Sequence, residues 1–300
     1  MDFDHRGPMN NVQELRAEFS ADTGAGEAGI QPSSYLLELS LDWIVLRASE
    51  NVHHLLGKSH VTLIDEPFGK FVQQQALHDL RNLFSRLSGT TGIARAYRVR
   101  LTGDPDLVDI AFQQIEERVL LEAVPSPQEG FGEAFGSVGG LIASLGRKSG
   151  QALLDAGARR MRALSGYDRV TLLVGDSKAT SDRSGVPFRS GANATLSEGF
   201  PALIADSAAS PVPVFPRNDE DAASSAAVLR APSANQKEEL GERGFGSTMR
   251  IPVTREGETI GEFRLAHTKP RAPSFELHAA AELFAQMFAM RLEIDALRKD

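Results

Sequence analysis

The chain has 300 residues, no cysteine, and 32 basic against 40 acidic side chains, a net charge of −8. Without cysteine it forms no disulfide, thiolate metal site, thiol nucleophile or thioether-linked cofactor. An acidic chain with no basic run repels a phosphate backbone, so a nucleic-acid partner is not expected. No apolar run reaches the length of a membrane span, and Met1, Asp2, Phe3, Asp4 and His5 lack a signal peptide's basic and apolar regions. No membrane partner and a cytoplasmic location are therefore expected. The composition, 41% hydrophobic and 24% charged, is ordinary for a globular protein, and the length suggests two domains.

Residues 1–29 carry Gly24, Gly26 and Gly29 and read as a flexible leader, with one short helix near Val12 to Phe19. Residues 35–40 read as a strand. Residues 41–49 read as another, with Trp43, Val45 and Arg47 on one face and Ile44, Leu46 and Ala48 on the other. A short helix over 51–57 stops at Gly57. A longer one over 67–87 spaces Phe71, Leu77, Leu80, Phe84 and Leu87 as a helix does. A strand over 93–101, a turn at Gly103, Asp104 and Pro105, and the piece 106–124 follow; Val108, Ile110 and Phe112 alternate at its start. This order predicts a compact α+β domain around one antiparallel sheet over 30–126. The Pro- and Gly-rich residues 127–140 read as a linker. A second, different domain occupies 141–300. It comprises a helix over 141–164, a strand over 167–175 and a long stretch, 176–235, without strong apolar periodicity. A hairpin over 245–268, turning at Arg255 to Glu258, and a terminal helix over 275–297 complete it.

Motifs of known chemistry are mostly excluded. Gly57, Lys58 and Ser59 look like the end of a phosphate loop, but position 52 is Val where that motif needs Gly. Gly130, Gly132 and Gly136 have the wrong spacing for a dinucleotide fingerprint. There is no Gly-x-Ser-x-Gly elbow and no His-Glu-x-x-His. His53 and His54 are adjacent on a helix and point apart, so no metal site is expected. Asp219, Glu220 and Asp221 read as a solvated loop tip. No nucleophile, base and oxyanion site come together, and an enzyme is not expected.

Ile30, Gln31 and Pro32, and later the run from Leu164 through Gly166, Tyr167, Asp168 and Arg169 to Val170, resemble a bacteriophytochrome photosensory core. Further matches follow in order: 204–216, then Val228, Leu229 and Arg230, then Gly244, Met249, Gly257, Gly261 and His267. The similarity covers about residues 19–295. It implies a PAS domain followed by a GAF domain, each an antiparallel sheet flanked by helices. In that family a linear tetrapyrrole is held by a thioether to an upstream cysteine, by an aspartate and by histidines. Here the cysteine position falls on Phe19, which has no nucleophile. The family's Pro-Ala-Ser-Asp-Ile-Pro stretch is absent. A pocket histidine falls on Gln236, a tyrosine on Glu239, and His267 is the histidine that remains. Jointly these losses imply a degenerate site without bound bilin, with Phe188, Phe200 or Phe215 filling it. The resemblance also implies a figure-of-eight knot, with Ile30 at the crossing and Pro211, Pro213 and Pro216 in the encircling loop.

The terminal helix carries two apolar stripes. Leu277, Ala281, Phe284, Phe288 and Leu292 form one; Ala280, Leu283, Met287, Met290, Ile294 and Leu297 form the other, spaced as a bundle seam. One stripe serves the domain's own sheet, and the second is expected to form a homodimer, as the resemblance also implies. The expectation is a signalling protein that works through protein contacts, with a signalling partner and without photoactivity of its own. The alternatives are a small-molecule or tetrapyrrole sensor using the GAF pocket, and a photoreceptor that holds bilin noncovalently.

Overall fold

The structure, a computed structural model, describes residues 29–87, 92–127, 130, 132–186, 200–217 and 226–298. Phe19, Phe188 and Asp219 to Asp221 lie outside the described residues. In the first domain, strands β1 (Tyr35–Ser40) and β2 (Val45–Ser49) precede helices α1 (His53–Leu56), α2 (His60–Leu63) and α3 (Gln74–Ser85). Strands β3 (Ala94–Val99), β4 (Val108–Ile115) and β5 (Arg118–Pro125) close it. Along the sheet the order is β3-β4-β5-β1-β2, all antiparallel. Strand side chains alternate between faces. Leu37, Leu39, Ile110, Phe112 and Leu121 therefore share one face, where Trp43, Phe68 and Leu80 complete a core against the helices. The opposite face carries Leu36, Glu38, Leu120 and Glu122, and it meets the second domain.

The second domain begins with α4 (Glu133–Ala143) and α5 (Gly150–Ser165). Its sheet comprises β6 (Arg169–Val174), β7 (Ser177–Asp182), β8 (Leu203–Ile204), β10 (Ser247–Arg255) and β11 (Glu258–His267), in the order β7-β6-β11-β10-β8. Strand β9 (Val214–Phe215) leaves this domain and joins the first sheet, pairing Phe215 with Ala48 and Val214 with Ser49 of β2. Helix α6 (Ala234–Glu242) precedes β10, and α7 (Phe275–Ala296) ends the fold. Val170, Leu172, Met249, Ile251, Phe263 and Leu265 face α5 and α7. Phe263 meets Phe288 edge-on at 5.5 Å, and Phe284 stacks on Phe288 at 6.1 Å. A Cβ at Gly157 would lie 2.5 Å from the Phe288 ring, so the missing side chain sets how closely α5 and α7 approach.

Several elements depart from the sequence reading. Residues 41–44 form a turn with Trp43 at φ 67°, and the strand starts at Val45. Helix α3 covers only Gln74–Ser85 of the expected 67–87, preceded by one 3₁₀ turn at Phe68–Lys70. The piece 106–124 is a two-strand hairpin turning at Glu116 (φ 53°) and Glu117, which carry no Gly or Asn signal. The expected linker 127–140 holds the first eight residues of α4, and the expected helix 141–164 is broken between α4 and α5. Burial of Val138 and Leu145 in the core outweighs the low helix propensity of Gly136, Gly139 and Gly140. The start of α5 is fixed from outside, by the Asp295 carboxylate accepting the Gly150 N–H at 3.0 Å. Within 176–235 stand β7, β8 and β9. Strand β7 was illegible because it is a polar edge that buries only Ala179 and Ser181.

Candidate functional site

One face of the second sheet is covered by α5 and α7. On the other face Phe200, Ile204, Leu240, Phe245 and Ala266 form a separate buried cluster. Beside it the face is ionic. Arg250 Nε donates to Glu262 Oε1 at 2.7 Å, Arg264 donates to the other oxygen of Glu262, and Arg250 Nη1 donates to the Phe200 carbonyl at 3.2 Å. Arg169 Nε donates to Asp182 at 2.7 Å, and its guanidinium lies 4.9 Å over the Phe245 ring. Burial pushes the Asp182 carboxyl up, but its bonds to Ser184 and Arg169 outweigh that and hold it below the ordinary carboxylate range. Guanidiniums and carboxylates on this face are thus paired with one another, over an apolar floor.

The second candidate is the junction between the domains. Ile30 is fully buried and exchanges backbone hydrogen bonds with Val212, at 3.0 Å and 2.8 Å. On its other side Gln31 N–H donates to Leu229 O (3.0 Å) and Ala231 N–H donates to Gly29 O (2.9 Å). Residues 29–31 therefore form the middle of a three-stranded antiparallel ribbon whose outer members both belong to the second domain. Gly29 is required here: a Cβ would sit 2.5 Å from Val212 O. The buried Gln31 amide extends the grip. Its Nε2 donates to Leu203 O (2.7 Å) and Arg230 O (3.1 Å), and its Oε1 accepts from Ala205 N–H (2.7 Å).

The outer face of the first sheet adds four polar contacts. Glu38, fully buried, is paired with Arg47 and Arg118, and Arg47 Nε donates to Pro216 O at 2.8 Å. Gln113 Nε2 donates to Ala226 O. Glu122 accepts the N–H of Val228 at 2.8 Å and of Leu229 at 2.9 Å. Burial pushes the Glu122 carboxyl up to about 7, against the pull of those two N–H bonds and of Arg95. Arg95 itself pairs with Glu282 at 2.9 Å and lies 3.0 Å from His278 Nδ1. Burial pushes His278 down to about 4, so it is neutral near pH 7. Its Nδ1 then accepts from Arg95 and its proton resides on Nε2.

A third grouping lies at the end of β11. His267 Nδ1 is 2.6 Å from Asp168, which also accepts from the Thr268 N–H and hydroxyl. Among the described residues no group of three or more His, Asp or Glu is placed to hold a metal, and no helix is long and apolar enough to cross a membrane.

Residues 27–125 match the PAS fold family and residues 149–295 match the GAF domain family. The chain is a PAS–GAF protein with a phytochrome-like fold. It superposes on the chromophore-binding domain of a bacteriophytochrome from R. palustris with a TM-score of 0.70 and 22% identity, over 91% of this chain and 96% of that one. Against the wild-type chromophore-binding domain of Stigmatella aurantiaca phytochrome P1 the values are 0.70 and 23%, over 88% and 96%. Against the photosensory core module of the Stigmatella aurantiaca phytochrome they are 0.73 and 22%, over 91% and 59%. A curated bacteriophytochrome from Pseudomonas aeruginosa is 25% identical over 88% of this chain, and the match spans 39% of that relative's length.

Within this PAS–GAF frame the sequence-derived positions separate. Gln236 is buried and belongs to a capping box at the start of α6: its N–H donates to Ser233 Oγ (3.3 Å), and its Oε1 accepts the Ser233 N–H (3.0 Å). Glu239 is ion-paired with Arg243 at 2.7 Å. His267 does not face the Phe200–Phe245 cluster. It follows Ala266, which does, so alternation turns its side chain to the other face and toward Asp168 and Tyr167. The residue on the cluster side at this point is Ala266. Phe200 is in the cluster, whereas Phe215 stacks on His60 of the PAS domain at 4.8 Å.

Pro213 and Pro216 tie the β9 segment to the PAS domain through their carbonyls, which accept from Glu50 N–H and Arg47; Pro211 packs at Gly29. On α7, Ala281, Phe284 and Phe288 are in the GAF core, as the first stripe predicts. Ala280 is fully buried there too, so it is not on the outer row with Leu283, Met290, Ile294 and Leu297. Sequence reasoning did not single out Glu122 and took Gln31 only as part of a motif, although both side chains bond across the junction. An acid inside the apolar run Leu120, Leu121, Ala123 and Val124 was the available signal for Glu122.

Proposed function

We propose that this chain is a signalling module that works through protein contacts and does not hold a bilin in the manner its resemblance implies. The observation that carries the reading is the chemistry of the GAF sheet face. There Arg250 and Arg264 share Glu262, Arg169 is paired with Asp182, Gln236 is committed to a helix cap, and Ala266 stands on the cluster side of β11. A bilin needs polar partners for its pyrrole N–H groups and cations for its propionates. These residues do not fit it: the charged groups that could serve are engaged with each other, Gln236 is engaged with Ser233, and the chain has no cysteine for a thioether.

The exposed row on α7 supports the protein-contact half of the proposal. Leu283, Met290, Ile294 and Leu297 are 39%, 55%, 45% and 70% exposed, spaced 7, 4 and 3 residues apart, with Met287 between the first two half-buried against the core. In this reading the row pairs with its copy in a homodimer, the module signals to a partner protein, and the segment through Ile30 is the crossing of a figure-of-eight knot. Mixing the purified protein with biliverdin and recording absorbance in darkness and after red light tests the first half. The expected result is no sharp red band and no photoconversion; a reversible red band overturns it.

A further inference from the structure

We propose that Glu122 is a proton-operated latch between the PAS sheet and GAF residues 226–231. The carboxyl group, 2% exposed, projects from β5 and accepts two consecutive N–H groups, those of Val228 and Leu229. The segment that it holds is the one that grips the rest of the junction. Val228 O accepts from Leu203 N–H, Leu229 O accepts from Gln31 N–H, and Ala231 N–H reaches Gly29 O. Releasing 226–231 therefore loosens the PAS sheet, β8 and residues 29–31 together.

The surroundings decide which protonation state holds the latch shut. Ala111 of β4 and Leu36 of β1 flank Glu122 in the sheet. Farther along the same face, Glu38 is neutralised by Arg47 and Arg118, and Asp109 bonds to Ser126 and to the Arg98 N–H. From β3 comes Arg95, shared with Glu282 of α7 and the neutral His278. Also from α7, Glu276 accepts the Gly132 N–H. On the GAF segment itself the charged group is Arg230, whose carbonyl accepts from Gln31. Glu122 thus has two backbone donors and a distant, shared cation to offset complete desolvation.

Two N–H bonds favour the charged form in the closed latch, but complete burial outweighs them and favours the neutral acid, whereas water favours the carboxylate once the latch opens. By linkage, raising the pH favours opening. With a closed-state value of about 7 against 4.5 for the free side chain, the opening equilibrium rises on the order of a hundredfold between pH 5 and pH 8. The mechanism is independent of what the GAF face binds.

Hydrogen–deuterium exchange of the peptide covering 226–231 in the full chain, corrected for the intrinsic pH dependence of amide exchange, reads this directly. The wild type should open progressively more between pH 5 and pH 8. Glu122→Gln, which removes the titration but replaces one of the two accepting oxygens by an amide donor, should exchange faster at every pH and be flat; His278→Asn should keep the rise. A flat wild-type profile, or a rise retained in Glu122→Gln, overturns the proposal. Should Glu122→Gln fail to fold, infrared titration of the wild type with isotope-labelled glutamate carboxyls decides: a buried protonated carboxyl that ionises near pH 7 supports the latch, and none above pH 5 overturns it.

Discussion

Replacing Gln31 by Leu tests whether the junction is held by specific backbone bonds or by apolar contact. The substitution keeps roughly the same volume and removes three hydrogen bonds at once. Two of the bereaved groups, Leu203 C=O and Ala205 N–H, are buried, and each costs about 1–3 kcal/mol when left without a partner. Arg230 is half-buried, so water can recover its carbonyl bond. The expected loss is therefore about 2–6 kcal/mol, a large fraction of the stability of an ordinary domain. Urea denaturation followed by Trp43 fluorescence measures it. Trp43 is the single tryptophan, is 4% exposed and packs beside Phe68 and Phe84. Because it resides in the PAS core, a shift in its midpoint also shows that a GAF contact supports the PAS domain. A loss below about 1 kcal/mol would refute the reasoning, since apolar burial alone would then account for the junction.

Gly157→Ala drives a methyl into the Phe288 ring and should cost about 1–3 kcal/mol, whereas Phe288→Ala should cost about 3–5 kcal/mol; the same denaturation curves rank them. Glutamates at Leu283 and Met290 should halve the molar mass measured by light scattering if the α7 row is a self-association seam, with unchanged helix content; a native protein already monomeric at micromolar concentration counts against the seam. Two buried groups at the junction should oppose each other in pH. His278, depressed from 6.5 to about 4, contributes stability above pH 6.5 that is lost as pH falls toward 4. Glu122, raised from 4.5 to about 7, contributes stability below pH 4.5 that is lost as pH rises through 7. Each spans about 3 kcal/mol, so over the shared window the wild type should be nearly flat with respect to this pair, and Glu122→Gln should become more stable as pH rises from 4 to 6.5. Identical urea midpoints for wild type and variant across that range would contradict this.

Elements with strong apolar alternation or spacing were legible in the sequence. Strand 35–40, the 245–268 hairpin and the terminal helix all stand where the pattern of Leu37 and Leu39, Ile251 and Phe263, or Phe284 and Phe288 places them. Elements stabilised by distant contacts were not. Helix α4 forms through Gly136, Gly139 and Gly140 because its neighbours bury Val138, which no local propensity reveals. At α6 the signal is local, since Ser233 and Gln236 form a capping box at the position the resemblance gives to a histidine. His267 illustrates the limit of matching by position. A strand offset of one residue exchanges the two faces of a sheet, and only the register of β10 with β11 shows which of Ala266 and His267 looks toward Phe200. The junction was the least legible, since Glu122 and Gln31 act on backbone groups more than a hundred residues away.

Strand β9 has a consequence for how the molecule can be divided. The last rung of the PAS sheet is made by Val214 and Phe215, about ninety residues beyond the end of β5. A fragment cut after the PAS domain would bare the β2 edge and uncover Leu36 and Leu120, the two hazards that promote sticking between copies. The two family matches are thus neighbours on the polypeptide, yet the second supplies a strand to the sheet of the first.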